Sequence, residues 1–211
     1  MKTMIEHSNT KKWDQYYEFG QRIFFKRNSI IYEQGTIGNG FYYIHKGLIK
    51  IVTAKTKGGE KILSLEPSGQ LFGEQAMDQE PYFSTAIAVD DCVLYYFSKE
   101  QFNEIITRDT EMLNLFMDST IGKIRILADE ILAKGLTAQQ KIALTLIKIC
   151  TTCNTDKIFL TQQELANYTG LTRISVYKAF KQWKEAEIID VVNRMVIVKQ
   201  PDALKKQTVN L

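Results

Sequence analysis

A chain of 211 residues with a 45% hydrophobic and 24% charged share reads as a soluble globular protein with room for two modest cores, rather than a wholly disordered chain. No apolar run approaches the roughly 20 residues of a bilayer span, and the opening MKTMIEHSNTKKWDQ lacks the apolar core of a signal peptide, so a cytoplasmic protein without a membrane partner is expected. The net charge of +3 is uneven: residues 134–211 hold 12 Lys+Arg against 6 Asp+Glu, and residues 1–133 hold 15 against 18.

Between Ser29 and Phe97 the chain is a series of short segments rich in apolar and β-branched residues and punctuated by glycine: SIIYEQG, FYYIHKGLIKIVTAK, EKILSLEPSG, FSTAIAV and DCVLYYFS. Turn residues recurring at such short intervals predict an antiparallel barrel or jelly roll. Lys99 to Thr107 reads as a short helix that closes it.

From about Glu111 to Lys134 one long helix is expected. Leu113, Met117, Thr120, Ile124, Leu127 and Ile131 step alternately by four and three, the seam of a coiled coil, and the simplest partner for such a seam is the same helix of a second copy. The alternative is a helix that packs on its own barrel. Gly135 ends the helix and Thr137 caps the next, AQQKIALTLIKIC, placing a boundary at Gly135 to Thr137.

Three cysteines, Cys92, Cys150 and Cys153, fit a reducing compartment. Cys150 and Cys153 form a CxxC, but Cys92, His7 and His45 are the only other soft ligands and are scattered, so no metal site is expected. The pair remains a candidate thiol switch. No N-terminal cysteine cluster is present to hold an iron–sulfur centre.

The stretch TQQELANYTGLTRISVYKAFKQWKEAEII, Thr161 to Ile189, predicts two helices about a tight turn. Thr161 and Glu164 form a capping box, Gly170 supplies the turn and Thr172 caps the second helix. That helix turns Val176, Ala179, Phe180 and Trp183 inward and leaves Arg173, Ile174, Ser175, Tyr177 and Lys178 outside. Its first turns are where side chains meet base edges in a major groove: Arg173 has the fork for guanine O6 and N7, while Lys178 and the Ser175 or Thr172 hydroxyl suit phosphates. Gln162, beside Thr161, joins them as a candidate DNA contact. The segment IIDVVNRMVIVKQ predicts two strands about a turn at Asn193 and Arg194, completing a winged helix-turn-helix in the basic part of the chain. The alternative is a helical hairpin with a solvated charged face.

The fold class is therefore α+β: an antiparallel β-roll or jelly roll, a long dimerisation helix and a C-terminal winged helix-turn-helix. In this order the parts resemble the Crp/Fnr superfamily of bacterial transcription regulators. The resemblance covers roughly Phe25 to Lys199 and is carried by Gly35 and Gly47 flanking FYYIHK, by FGE at Phe72 to Glu74, by the long helix and by TGLTRISVYK. It implies an effector-sensing roll of the cyclic-nucleotide-binding type over residues 1–108, a dimer helix over 109–135 and a DNA-binding domain over 136–211. It further implies a homodimer on a palindromic double-stranded DNA site and a contact with RNA polymerase, as in an activator.

Nucleotide-binding members carry an acid for the ribose after the FGE and an Arg-Ser or Arg-Thr pair for the cyclic phosphate. Gly73 and Glu74 match, and Ser84 and Thr85 fall near the second element, but Phe83 or Tyr82 stands where the arginine belongs. A buried phosphodiester without a cation is poorly compensated. The base-recognising hydroxyls of the dimer helix are also replaced, at Ile126 and Leu127. Cyclic AMP, haem and an iron–sulfur cluster are therefore not expected. An apolar or aromatic effector fits a pocket of Phe72, Met77, Phe83, Ile124 and Leu127, unless these residues only fill the barrel. A constitutive or thiol-gated DNA binder is the second reading. Catalysis is not expected, because the chain has two histidines and no GxSxG, HExxH or Walker loop.

Overall fold

A computed structural model describes residues 12–55, 58–132 and 135–208. Eight strands build its first part: β1 (Gln21–Phe25), β2 (Ile30–Tyr32), β3 (Gly40–Lys46), β4 (Leu48–Ala54), β5 (Glu60–Pro67), β6 (Leu71–Phe72), β7 (Thr85–Ala88) and β8 (Cys92–Ser98). They form two four-stranded sheets, ordered β1-β8-β3-β6 and β2-β7-β4-β5. Pairing is antiparallel between β1 and β8, β3 and β8, and β4 and β7, as expected of a roll.

Strand β3 shows why two layers form. Its alternate side chains face opposite ways. Ile44 joins Ile49, Phe72, Leu94 and Cys92 in the core between the sheets, while Phe41 and Tyr43 pack outward on Trp13, Phe97 and Phe102. Trp13 stacks on Tyr43 with ring centroids 5.2 Å apart, and the Tyr16 hydroxyl donates to Asp109 Oδ2 at 2.6 Å. The aromatic residues just before β1 thus belong to the core, which the sequence pattern did not reveal. Strand β1 also escaped it, because its largely solvated side chains show no clear alternation.

Helix α1 (Lys99–Arg108) starts on a capping box in which Gln101 N donates to Ser98 Oγ and Ser98 N donates to Gln101 Oε1. Helix α2 (Glu111–Leu132) follows at once. Its first turns bury Met112 and Leu115 in the outer aromatic layer. Beyond them the large apolar side chains Met117, Ile121, Ile124, Leu127 and Ile131 are exposed. By contacts the chain divides into two compact units between Ala128 and Asp129, inside this helix, with Glu60–Ile62 grouped with the second. Residues 133 and 134 lie outside the described residues.

The second unit holds α3 (Ala138–Thr152), β9 (Lys157–Ile158), α4 (Gln162–Thr169), α5 (Arg173–Glu185), β10 (Ile189–Val192), β11 (Met195–Val198) and α6 (Pro201–Thr208). Its sheet runs β10-β11-β9. Ile142 and Leu146 of α3, Leu165 of α4, Val176, Phe180 and Trp183 of α5, and Leu204 of α6 are all buried. The two-residue β9 and the terminal α6 are additions to the elements read from sequence; both are too short for periodicity to mark.

The burial contrast along α2 makes a prediction. Met112→Ala should cost about 2–5 kcal/mol in denaturant unfolding of the roll, whereas Met117→Ala should cost less than about 1 kcal/mol at concentrations where the chain is monomeric.

Candidate nucleic-acid interface and effector cradle

Local sequence sets the geometry of the helix pair. Thr161 Oγ1 accepts from Glu164 N at 3.2 Å, and Glu164 Oε2 accepts from both Thr161 N and Thr161 Oγ1 at 3.0 Å. The Thr161 hydroxyl is therefore occupied by the cap. Gly170 takes φ +71 and its N–H returns to Ala166 O, ending α4 in a left-handed cap. Thr172 then starts α5, accepting from Ser175 N at 3.2 Å, and the Thr172 and Ser175 hydroxyls bond to each other at 2.9 Å. Both hydroxyls serve the cap first and would reach phosphate only with their remaining lone pairs and rotors.

With its inner face buried, α5 presents Arg173, Ile174, Tyr177 and Lys178 to solvent. Gln162, at the start of α4, comes together with Arg173, Ile174 and Tyr177 around a hollow of about 230 Å³. Ile174 is 67% exposed, an apolar side chain without cover at the head of a basic helix. The wing is a tight hairpin, Val192 facing Met195 across Asn193 and Arg194, both in the left-handed region at φ 51 and 65. Successive left-handed residues make the turn that matches strand twist. Lys184 and Lys199 both reach Asp190, at 3.8 and 3.5 Å, while Arg194 projects exposed at the tip. The sequence marked the turn but gave Arg194 no part in DNA contact; a cation at a wing tip was the available signal.

In the roll the residues proposed for an effector separate. Phe72 is core, whereas Phe83 is 63% exposed, and Ile124 and Leu127 on α2 are nearly as exposed. Met77 is half-buried against the outer aromatic layer. The phase of β7 explains Phe83: Ala86 and Ala88 point inward, so by alternation Ser84 does too and Phe83 points out. The expected pocket of Phe72, Met77, Phe83, Ile124 and Leu127 is thus not formed as an enclosed site. The cavity of about 490 Å³ in this unit is lined by none of the five.

The nucleotide-type cradle is present in outline but filled by the chain's own groups. Gly73 adopts φ +83 and turns Glu74 toward α2. There Lys123 Nζ donates to Glu74 Oε1 at 2.5 Å, to Oε2 at 2.6 Å and to Leu71 O at 2.8 Å, and Ser119 Oγ donates to Glu74 Oε1 at 3.0 Å. Fully buried Ser84 accepts from Gln75 Nε2 at 2.8 Å, while Gln75 Oε1 accepts from Phe83 N at 2.9 Å. Thr85 Oγ1 accepts from Gln34 N at 3.0 Å. Lys123, Ser119 and Gln75 were missed because these contacts link residues distant in sequence and follow no periodicity.

The stripe on α2 leaves Leu113, Met117, Ile124, Leu127 and Ile131 exposed and Thr120 half-buried. All three cysteines are free thiols, Cys92 buried and Cys150 and Cys153 half-buried. Burial pushes the Cys150 thiol up to about 11. Among the described residues no helix is long and apolar enough to cross a membrane, and no cluster of three or more His, Cys, Asp or Glu is placed to hold a metal.

Comparison with known proteins matches residues 22–109 to the cyclic nucleotide-binding domain and residues 140–207 to the Crp-like helix-turn-helix domain. The chain is 24% identical over 185 residues to the nitrogen fixation regulation protein FixK of Rhizobium meliloti, covering 86% of this chain and 84% of that protein. It is 23% identical over 188 residues to the cyclic AMP receptor protein of Thermus thermophilus, covering 88% and 87%. Its fold is similar to that of FixK2 from Bradyrhizobium japonicum, with a TM-score of 0.79 at 17% identity over 91% of this chain and 98% of that one.

The Glu74–Lys123 contact should behave as a partly buried pair. Lys123→Met alone is expected to destabilise the roll by about 1–3 kcal/mol by stranding the carboxylate, and the double variant Glu74→Gln with Lys123→Met should recover most of that loss in urea unfolding.

Proposed function

The chain belongs to the Crp/Fnr superfamily of transcription regulators, and from that premise we propose that it acts in the cytoplasm as a homodimer on a palindromic DNA site, gated by an effector other than cyclic AMP. The observation that carries the DNA reading is the convergence of Gln162, Arg173, Ile174 and Tyr177 at the exposed head of α5. In a major groove Arg173 grips guanine O6 and N7, while Ile174, and Tyr177 through its ring, offer apolar contact to thymine methyls. The half-site is then one guanine among A/T neighbours. Lys178 and the wing's Arg194 add phosphate contacts, and their release of counterions makes binding fall as salt rises.

The exposed stripe of α2 is the proposed dimer seam: burying it against a second copy removes large apolar side chains from water and places two copies of α5 about one DNA turn, ~34 Å, apart. The DNA-bound dimer then contacts RNA polymerase.

Cyclic AMP is a poor fit to this cradle, although several relatives are named for it. Glu74 is already paired with Lys123 and Ser119, and Ser84 with Gln75. No cation stands at Phe83 to meet a phosphodiester, so binding would have to break internal pairs and bury an uncompensated anion. An effector gates DNA binding only if it binds the DNA-competent state more tightly than the other. The same internal pairing favours a second reading, in which the cradle holds no ligand and DNA binding is constitutive. Thiol gating gains less support, since the raised Cys150 thiol is the poorer nucleophile.

Selection of bound duplexes from a random pool, with and without cellular metabolites, tests these readings together. A two-fold palindrome recovered only with metabolites supports gating, the same palindrome in both arms supports the constitutive reading, and no enrichment removes the DNA-binding proposal. Arg173→Ala should cost about 1–3 kcal/mol and relax preference at the guanine, Lys178→Ala should weaken all sequences alike, and Ile124→Glu should recover half-sites without two-fold spacing.

A raised thiol pKa means less thiolate at any given pH. At pH 8 Cys150 should react with iodoacetamide roughly a hundredfold more slowly than an unperturbed cysteine, and its rate should keep climbing to about pH 11. Fast labelling at neutral pH would return the thiol switch to contention.

A further inference from the structure

The β2–β3 region carries features that neither the DNA reader nor the cradle explains. A cavity of about 490 Å³ opens there, walled by Tyr32, Tyr42, Tyr82 and Tyr96 with Glu33 and Ile37 beside them. Its volume is within the range of small-molecule sites, about 300–1,000 Å³. Tyr32 stacks on Tyr82 with centroids 3.8 Å apart, and Tyr42 is tilted against Tyr96 at 5.0 Å. The wall is closely fitted: a Cβ on Gly38 would lie 2.1 Å from the Tyr82 hydroxyl.

Three properties define what it accepts. First, it offers an apolar shelf on one side, for Ile37 is 72% exposed and neighbouring Ile30 is 50% exposed, large side chains that the protein's own core leaves uncovered. Second, the hydroxyls of Tyr42, Tyr82 and Tyr96 make no hydrogen bond to another described residue, and burial pushes Tyr42 up to about 12, so it stays a neutral donor. Third, the field is negative. No Lys, Arg or His lines the cavity, Glu33 does, and Asn39 at its edge donates to both carboxylate oxygens of Glu100 at 3.0 and 3.1 Å, which holds that carboxyl below its ordinary range and ionised. An anion meets the Glu33 carboxylate with no cation among the lining side chains. A cation meets the Glu33 carboxylate and the tyrosine side chains together, a combination that favours ammonium groups.

We propose that this tyrosine-walled cavity is a small-molecule site of the roll and that its ligand is a protonated amine on an aromatic or aliphatic body. The ammonium group lies between Glu33 and the ring faces, and the body covers Ile37. The site also adjoins the cradle turn: Tyr42 and Tyr32 carbons stand 3.3 and 3.4 Å from where a Cβ would sit on Gly73, and Gln75 Nε2 donates to the Tyr32 hydroxyl at 3.2 Å. Displacing these rings therefore bears on the turn that sets Glu74 against Lys123. The proposal names the effector class left open by the gated reading above and depends on that reading only for its consequence at DNA.

Isothermal titration of the full chain with phenethylamine and, separately, phenylacetate compares one body with opposite charges. Saturable binding of the amine, at least tenfold weaker binding of the acid, and a loss of about threefold to fivefold in amine affinity for Glu33→Gln at unchanged melting temperature are expected. Equal affinity for the two probes, absence of amine binding, or amine binding indifferent to Glu33→Gln would overturn the site. Amine binding without any selected palindrome would remove the regulator's operator reading and leave the site standing; a palindrome with no amine binding would do the reverse.

Discussion

Strand β3 has two buried faces, and both layers of the roll depend on that. Ile44 points between the sheets, while Phe41 and Tyr43 point to the opposite side, where Trp13, Phe102, Met112 and Leu115 cover them. A strand buried on one side only would leave α1 and the start of α2 with nothing to pack on. Because the outer layer is aromatic, it fixes orientation as well as burial: Phe41 meets Phe102 and Phe116 edge-on at 5.5 and 5.2 Å. The first turns of α2 are therefore held firmly, and the apolar side chains that follow are carried out into solvent.

Electrostatics then ties the same helix to the sheet turn. Gly73 in its left-handed conformation aims Glu74 at α2, beyond the buried anchor of its first turns, and Lys123 closes on both carboxylate oxygens. At 12% and 31% side-chain exposure the two charges are only partly desolvated, so the contact costs less to form than a fully buried pair would and still leaves a stranded charge if either partner is lost. A residue that looks like a ligand-binding acid in the linear sequence is thus a structural partner in the folded chain. Ser84 makes the same point through Gln75.

What the sequence disclosed follows from the range of each interaction. Caps are local: Thr137, Thr161 and Thr172 each start the helix that their residue type announces, and Gly170 ends one. The period of α5 separates Val176 and Trp183 from Arg173 and Lys178 without any need of tertiary contacts. The cradle was legible as a motif and illegible as a site, because what fills it comes from Lys123, 49 residues away, and what leaves it, Phe83, does so through the phase of a strand only four residues long. A strand phase must be right to the single residue, since a shift of one inverts every side chain. The tyrosine cavity was hidden for the same reason, its walls being drawn from β2, β3, β8 and the loop before β7.

The two units use charge differently. In the second unit Lys184 and Lys199 are drawn to Asp190 beneath the wing, whereas Arg173 and Lys178 on α5 and Arg194 at the wing tip stand exposed. Exposed there, these cations put positive field where a phosphate backbone would meet it. In the roll the opposite economy holds: Lys123 is consumed at the cradle, and Glu33 and Glu100 remain by the tyrosine cavity with no cation among its lining. One chain thus presents a surface suited to a polyanion and a separate concavity suited to a small cation, and a molecule that fits one is repelled by the other.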